Sequence, residues 1–376
     1  VRILFVASLH HPKELQTAWE QTPPNEVKPL FPPSMGQHHW EQALRQRGHE
    51  LSVFYRNLPA WGGDIAQLSE QTYTQRITPQ RAYLALMNRM PPRYNLDKRA
   101  RNQRLIEDAR QFKPNVLWVV GDNTVIFSET LAHLKHTLGC KIVYASGTSP
   151  IVFSHPIERE AARLYDLVLV NDFYHGVQWE ELGAPHVVTL PIAAIDPAFH
   201  HPYPVTEAER KLYACDIAFV GTLLPTNLYS RRIQALEALR EFDLGIWSVH
   251  AIPDSLKPYV RGRALGAEML KIMSCAKVVI NVHGDFMRYG GNMRLFEVAS
   301  LGVCQIADDL AGVRRWFTPD ENILVYASVD DLKAQVRAVL ADDSRRMQIA
   351  QNGQQHVYAH HTYAQRARAF EEALGL

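Results

Sequence analysis

Val278-Val-Ile-Asn-Val282, then His283-Gly-Asp-Phe-Met-Arg-Tyr-Gly-Gly-Asn292, then Met293-Arg-Leu-Phe-Glu-Val-Ala-Ser-Leu-Gly302: an apolar run, a glycine-bearing loop and a helical stretch follow one another. The run lacks the polar alternation of a half-exposed strand. It fits a strand buried on both faces of a parallel sheet. The same unit repeats in both directions along the chain. Toward the N-terminus, Val1–Ser8, Leu51–Tyr55, Val116–Val120, Lys141–Ala145, Asp166–Val170 and Val187–Leu190 read as strands separated by helical stretches. Nearer the motif, Ile217–Val220, Leu244–Trp247, Val303–Ile306 and Ile323–Tyr326 do the same, and three helices are expected to close the chain. Strand and helix in repeated alternation predict an α/β chain with doubly wound, Rossmann-like sheets.

The alternation breaks once, between Pro191 and Tyr213, where Pro191, Pro197, Pro202 and Pro204 fall. That stretch reads as a linker. It divides the 376 residues into domains over 1–195 and 196–376, sizes expected of two domains. Ligands of open α/β sheets bind at the carboxyl ends of the strands, so two such domains are expected to face each other across a cleft. Two long segments interrupt the pattern. His10–Gln37 is proline-rich and follows the first strand. Arg76–Lys113 carries ten Lys or Arg against three Asp or Glu, a local excess suited to an anionic acceptor or a membrane surface. Asp254–Arg263 reads as a surface connection.

Composition narrows the classes. The apolar fraction is 47% and the charged fraction 21%, which excludes a disordered chain, a coiled coil and a collagen. Lys plus Arg exceed Asp plus Glu by 40 − 39 = 1, so no nucleic-acid partner is expected. Cys140, Cys215, Cys275 and Cys304 are widely spaced and form no CxxC pair, which fits a reducing cytoplasm. Val1–Leu9 is short and lacks a small-residue cleavage pattern, and no apolar run has the ~18 residues of a membrane span. The expected location is cytoplasmic, with contact at a membrane surface left open. No metal motif appears, so no metal site is expected.

In the opening motif, Gly290 and Gly291 allow positive φ, and successive N–H groups can then face an anion. Asn292 is a natural helix N-cap. The N-terminus behind it offers free N–H groups and a positive dipole end to a phosphate. Arg294 adds a forked cation. Glu297, one turn on, can accept both hydroxyls of a ribose. Phosphate at the helix start and ribose one turn along is a nucleotide-diphosphate layout. The same residues also describe an ordinary capped helix with an i, i+3 ion pair. The spacing is neither a Walker A loop nor GxGxxG.

Asn292-x-Arg294-x-Phe296-Glu297-x-x-Ser300-x-Gly302 resembles the donor-site helix of group 1 glycosyltransferases of GT-B architecture. The pattern is most similar to the CgeB-like branch, the spore-maturation-type enzymes. Asp308-Asp309 and the run from Phe317 to Tyr326 resemble that family's ending. The resemblance covers about 216–374; over the first domain only the αβ order is shared. It implies a UDP-, GDP- or dTDP-linked sugar as donor substrate in the C-terminal domain, an acceptor in the N-terminal one, and no permanently bound cofactor or required divalent ion. It also implies donor contacts from Gly221 and from Arg231 or Arg232, which open the next helix. Ser248–His250 is the implied base-binding edge, and His283 touches sugar or phosphate. One departure stands out: the wider family carries an acid eight positions before the matched Glu297, and here that position is Tyr289.

For the acceptor reaction, a base is needed to take a proton. Asp122 follows the Val116–Val120 strand and Gly121 and is the first candidate. His10, with His11, follows the first strand, and His155 follows the fourth. Gly147 and Thr148 are expected to wall the acceptor. The function read from the chain is transfer of a sugar from a nucleotide-diphosphate sugar to an unidentified acceptor. A sugar-nucleotide epimerase on the same fold, or a nucleotide-sugar-binding protein without catalysis, are the alternatives.

Overall fold

In a computed structural model of the protein, residues 1–8, 35–61, 79–248 and 252–376 are described. They form two units. The first comprises Val1–Val170, His175–Val188 and Ala367–Leu376, and the second Asn171–Tyr174 and Thr189–Arg366.

In the first unit, β1 (Arg2–Ala7), β2 (Glu50–Tyr55), β3 (Val116–Val120), β4 (Lys141–Ser146), β5 (Leu167–Val170) and β6 (Val187–Thr189) lie in the order β2-β1-β3-β4-β5-β6. β1 pairs in parallel with both β2 and β3, with Ile3 opposite Val116. Strand side chains alternate between faces, and both faces are covered here, so the strands read as unbroken apolar runs. Leu4 and Val6 join Leu117, Val119, Ile142 and Tyr144 in one buried cluster. Phe5 points the other way and stacks on Trp118 at 5.1 Å. Trp118 in turn meets Trp40 at 5.0 Å and Phe370 at 4.6 Å. Phe370 comes from the last helix, Tyr363–Leu374, and is fully buried. Glu371 beside it is held by Arg47 and by His49 Nε2 at 2.8 Å.

In the second unit, β7 (Cys215–Val220), β8 (Leu244–Trp247), β9 (Val260–Gly262), β10 (Ala276–Asn281), β11 (Cys304–Asp308) and β12 (Leu324–Tyr326) lie in the order β12-β11-β10-β7-β8-β9. Ile217, Phe219, Ile246, Val278, Ile280 and Ile306 make one buried layer; Ala218, Val220, Trp247 and Val279 belong to the layer opposite. Burial pushes the Cys215 and Cys304 thiols up to about 12, so both act as small apolar side chains.

Two six-stranded parallel sheets flanked by helices are thus the architecture, as the alternation predicts. Each strand order reverses once, between β1 and β3 in the first sheet and between β10 and β7 in the second. Crevices open at such switch points, outside the carboxyl ends of the strands. Asp122 follows β3, and Gly221 and His283 follow β7 and β10, so these three residues stand at switch points.

The elements differ from expectation in places. The stretch read as a linker contains a helix, Glu207–Tyr213, started by a reciprocal box in which Thr206 Oγ1 accepts from Glu209 N–H at 3.2 Å and Glu209 Oε2 from Thr206 N–H at 2.8 Å. The Asp254–Arg263 connection holds a 3-10 turn over Asp254–Tyr259 and then edge strand β9. Short helices also occupy Pro79–Met87 and Ala311–Trp316. The proline-rich connection ends in the helix Met35–Gln46, and its earlier part, with His10 and His11, lies outside the described residues.

Candidate functional site

The loop after β10 is built around one buried imidazole. His283 is fully buried, and its Nε2 lies 3.1 Å from Gly291 N and 3.4 Å from Asn292 N. Those N–H groups donate, so Nε2 is the acceptor and Nδ1 carries the proton. Nδ1–H donates to Asp308 Oδ1 at 2.7 Å, and the same oxygen accepts from His283 N–H at 3.1 Å. Asp308 stands at the end of β11. Burial raises its pKa, but the His283 contacts and the Arg231 charge outweigh burial, and the carboxyl is held below its ordinary 3.8.

Arg231 locks the same loop from the helix Ser230–Ala238. It reaches Asp285 Oδ1 at 3.1 Å, Asp308 Oδ2 at 3.3 Å, and the carbonyls of Gly284 and Met287 at 3.0 and 2.9 Å. Arg232 donates to Val282 O at 2.7 Å and Thr222 O at 3.1 Å, and burial lowers its pKa. Arg231 thus holds two carboxylates and two carbonyls, and Arg232 two carbonyls, where one of the pair was expected to reach a diphosphate. The sequence offers little sign of this, because every one of these partners except Thr222 lies 50 or more residues away.

Gly290 and Gly291 have φ of +102° and +113°, as the turn demands. Their N–H groups do not face open space, contrary to expectation. Asp172, fully buried, accepts from Tyr289 N at 2.7 Å and Gly290 N at 3.3 Å, while His283 takes Gly291 N–H. At Gly291 a Cβ would sit 2.9 Å from Asn171 O, so no larger residue fits without movement. His283 therefore sets the loop from inside rather than facing a ligand.

The helix behind the loop runs over Met293–Ser300 and is capped as predicted. Asn292 Oδ1 accepts from Leu295 N–H at 3.0 Å, and its amide is paired reciprocally with Asn281 at 2.8 and 3.1 Å. That cap uses the N–H of Leu295 and leaves those of Met293 and Arg294 for the helix start. Arg294 Nη1 pairs with Glu297, and its Nε donates to Val220 O at 3.3 Å. Glu297 is buried, with His200 Nε2 3.9 Å away. His200 Nδ1 accepts from Asp196 N–H at 2.9 Å, which turns the Nε2 proton toward Glu297. Gly221 packs closely: a Cβ there would meet the Phe219 ring at 3.1 Å. The structure thus brings together Gly221, Arg231, Arg232, His283, Tyr289, Gly290, Gly291, Asn292, Arg294 and Glu297 in one unit. His250 lies outside the described residues.

In the first unit, Asp122 is exposed at the end of β3 and has φ of +63°, a left-handed conformation that Asp tolerates better than most residues. The turn carrying it is fixed on both sides. Buried Arg56 donates to the carbonyls of Val120 and Gly121, and burial lowers its pKa. Buried Glu158 accepts from Asn123 N at 2.5 Å, Tyr144 Oη at 2.8 Å and His155 N at 3.2 Å; burial raises its pKa. His155 is the N-cap of the helix Pro156–Glu160, and its Nδ1 accepts from Ile157 N–H at 3.2 Å. The Nδ1 lone pair is therefore already engaged, and burial lowers this imidazole's pKa. Thr148 N–H turns back to Ser146 Oγ at 3.2 Å. Arg56, Glu158, Asp172 and Asp308 were not singled out from the sequence as site residues; a strand-end position, which Asp172 and Asp308 share with Asp122, was the available signal.

Residues 230–372 match the family model described as glycosyl transferase-like. A search of curated protein sequences found no match. Solved structures share the fold over the whole chain. HepE from Anabaena, in complex with UDP-glucose, has a TM-score of 0.62 at 13% identity and covers 100% of this chain and 99% of its own. Sucrose-phosphate synthase from Thermosynechococcus elongatus has a TM-score of 0.61 at 12% identity, covering 99% and 97%. A glycosyltransferase from Rickettsia africae has a TM-score of 0.60 at 10% identity, covering 99% and 97%. The chain has the GT-B fold, and its residues 230–372 are similar to the glycosyl transferase-like family.

Proposed function

We propose that the protein transfers a sugar from a nucleotide-diphosphate sugar to an acceptor hydroxyl, with the donor held by residues 196–376 and the acceptor by residues 1–195. The observation that carries this reading is the capped helix Met293–Ser300, with two uncapped N–H groups, Arg294 in its first turn and buried Glu297 one turn on. A leaving diphosphate accepts from the N–H groups of Met293 and Arg294, and Glu297 accepts from the ribose hydroxyls. The helix dipole and Arg294 supply the positive charge, so this route calls for no divalent ion. UDP is the first nucleotide to try, since HepE is solved with UDP and with UDP-glucose. The Arg-x-Phe-Glu-x-x-Ser-x-Gly run further supports the CgeB-like branch.

Asp122 is the proposed base. The acceptor hydroxyl gives its proton to the Asp122 carboxylate while its oxygen bonds to the anomeric carbon. The bond from that carbon to the phosphate oxygen breaks, and the nucleoside diphosphate leaves. Exposed Arg89, Arg93 and Arg99 beside exposed Leu86, Tyr94 and Leu96 support an acceptor that is anionic or presented at a membrane surface. Among the described residues, no helix is long and apolar enough to cross a membrane.

A thermal-shift panel of UDP, GDP, dTDP and their common sugars tests the reading. A ligand at 100 times its Kd adds ~2.7 kcal/mol of stability. A selective shift with one diphosphate is expected; no shift with any of them in folded protein refutes the donor site.

A further inference from the structure

Three aromatic residues gather beside the loop, two of them held through their backbone by one buried carboxylate. Asp172 Oδ1 accepts from Tyr174 N–H at 2.9 Å, and its Oδ2 accepts from Tyr289 N–H at 2.7 Å. Phe173 lies between them in space, its ring 5.6 Å from Tyr174 at an interplanar angle of 76° and 5.8 Å from Tyr289 at 43°. Phe173 is 48% exposed and Tyr174 51%, with Tyr289 half-buried. Large aromatic rings gathered at a surface and fixed from beneath are uncommon without a partner. The backbones of Tyr174 and Tyr289 are set by a side chain that is itself fully buried, so these rings sit on a preorganised base. Arg315 Nη1 lies 3.4 Å from Tyr289 Oη and adds a polar rim.

We propose that Phe173, Tyr174 and Tyr289 form an aromatic platform for a neutral sugar ring, which lays its C–H face on one ring and meets the inclined neighbours with its edge. A pyranose has one face rich in C–H groups and hydroxyls around its edge. Aromatic faces carry partial negative charge that attracts such C–H groups, and the Arg315 rim can meet an edge hydroxyl. The platform lies three residues before Asn292, next to the helix start that would hold the diphosphate. Its identification as the subsite for the donor's sugar rests on the donor reading above. The aromatic side chain at Tyr289 would then select by ring face, where an acid would select by hydroxyl hydrogen bonds.

Two measurements test the platform separately from the donor reading. Saturation-transfer NMR with methyl α-D-glucopyranoside, irradiating the aromatic protons, needs no nucleotide. Transfer onto the ring C–H protons of one face is expected in the wild type, and its loss in Phe173→Ala and in Tyr289→Ala, with Tyr289→Phe retaining it. No transfer, or equal transfer in the alanine variants, overturns the platform. Both substitutions keep the backbone N–H groups that Asp172 holds, and unchanged melting curves check the fold. Calorimetric titration with UDP and UDP-glucose follows. The alanine variants are expected to bind UDP as the wild type does and UDP-glucose about 3–10-fold more weakly, the range of one aromatic contact. Glucoside transfer without UDP binding sinks the donor reading and leaves the platform; UDP binding without glucoside transfer does the reverse.

Discussion

Replacing Asp308 by Asn removes one charge and almost no volume from the centre of the second unit. The carboxylate accepts from His283 Nδ1 at 2.7 Å, from His283 N at 3.1 Å and from Arg231 Nη1 at 3.3 Å. An amide offers one acceptor oxygen, and its NH2 group must face His283 or Arg231, both of them donors. Breaking a fully buried ion pair costs about 3–5 kcal/mol, but the Arg231 side chain is 29% exposed and keeps Asp285, so solvent discounts the loss. About 2–4 kcal/mol is expected from urea unfolding midpoints at pH 7. The folded Asp308 carboxyl titrates below its ordinary 3.8. A depressed constant gives stability that is full above the unfolded value and lost as pH falls through the folded one. The gap between wild type and Asp308→Asn should therefore hold from pH 7 to about 5 and shrink below about 4. A gap under about 0.5 kcal/mol at pH 7, well short of the usual worth of a hydrogen bond, or one that does not narrow in acid, refutes the assignment of Asp308 as the anchor of this loop.

Other expectations concern the same loop and the first unit. A Cβ at Gly312 would stand 2.5 Å from Tyr289 O, so Gly312→Ala should cost about 1–3 kcal/mol by pushing the Tyr289 backbone aside; a wild-type melting temperature would count against that. Phe370→Ala should lower stability by about 3–5 kcal/mol, because the ring fills the Trp118 face of the first sheet; urea unfolding reads this directly. Asp122→Asn should leave UDP affinity unchanged and lower turnover about 10²–10⁴-fold. Turnover at the wild-type rate would remove Asp122 from the mechanism.

The strands were legible because burial on both faces leaves a strong mark: Ile3–Ala7 and Val116–Val120 have no polar break to blur it. β9 was not legible, since a three-residue edge strand with two exposed residues carries almost no apolar signal. The helix Glu207–Tyr213 had its Thr206–Glu209 box in plain sight, but the prolines before it suggested a linker. At the site, Gly290, Gly291 and Asn292 announced a turn and a cap, which are local properties. What fills the turn's N–H groups is not local. Asp172 is 117 residues from Tyr289, and no spacing rule links them. The Arg294–Glu297 pair was readable from i, i+3 geometry, whereas Arg231 holding two carbonyls and two carboxylates required the fold.

The central claim is that the helix Met293–Ser300 binds a nucleoside diphosphate through its N-terminus and Glu297. Calorimetric titration of UDP into the wild type and into Glu297→Gln tests it most directly. The account predicts one site in the wild type and about 10–100-fold weaker binding in the variant, as loss of charge-assisted hydrogen bonds implies. Equal affinity in both proteins, with the variant folded, would contradict it.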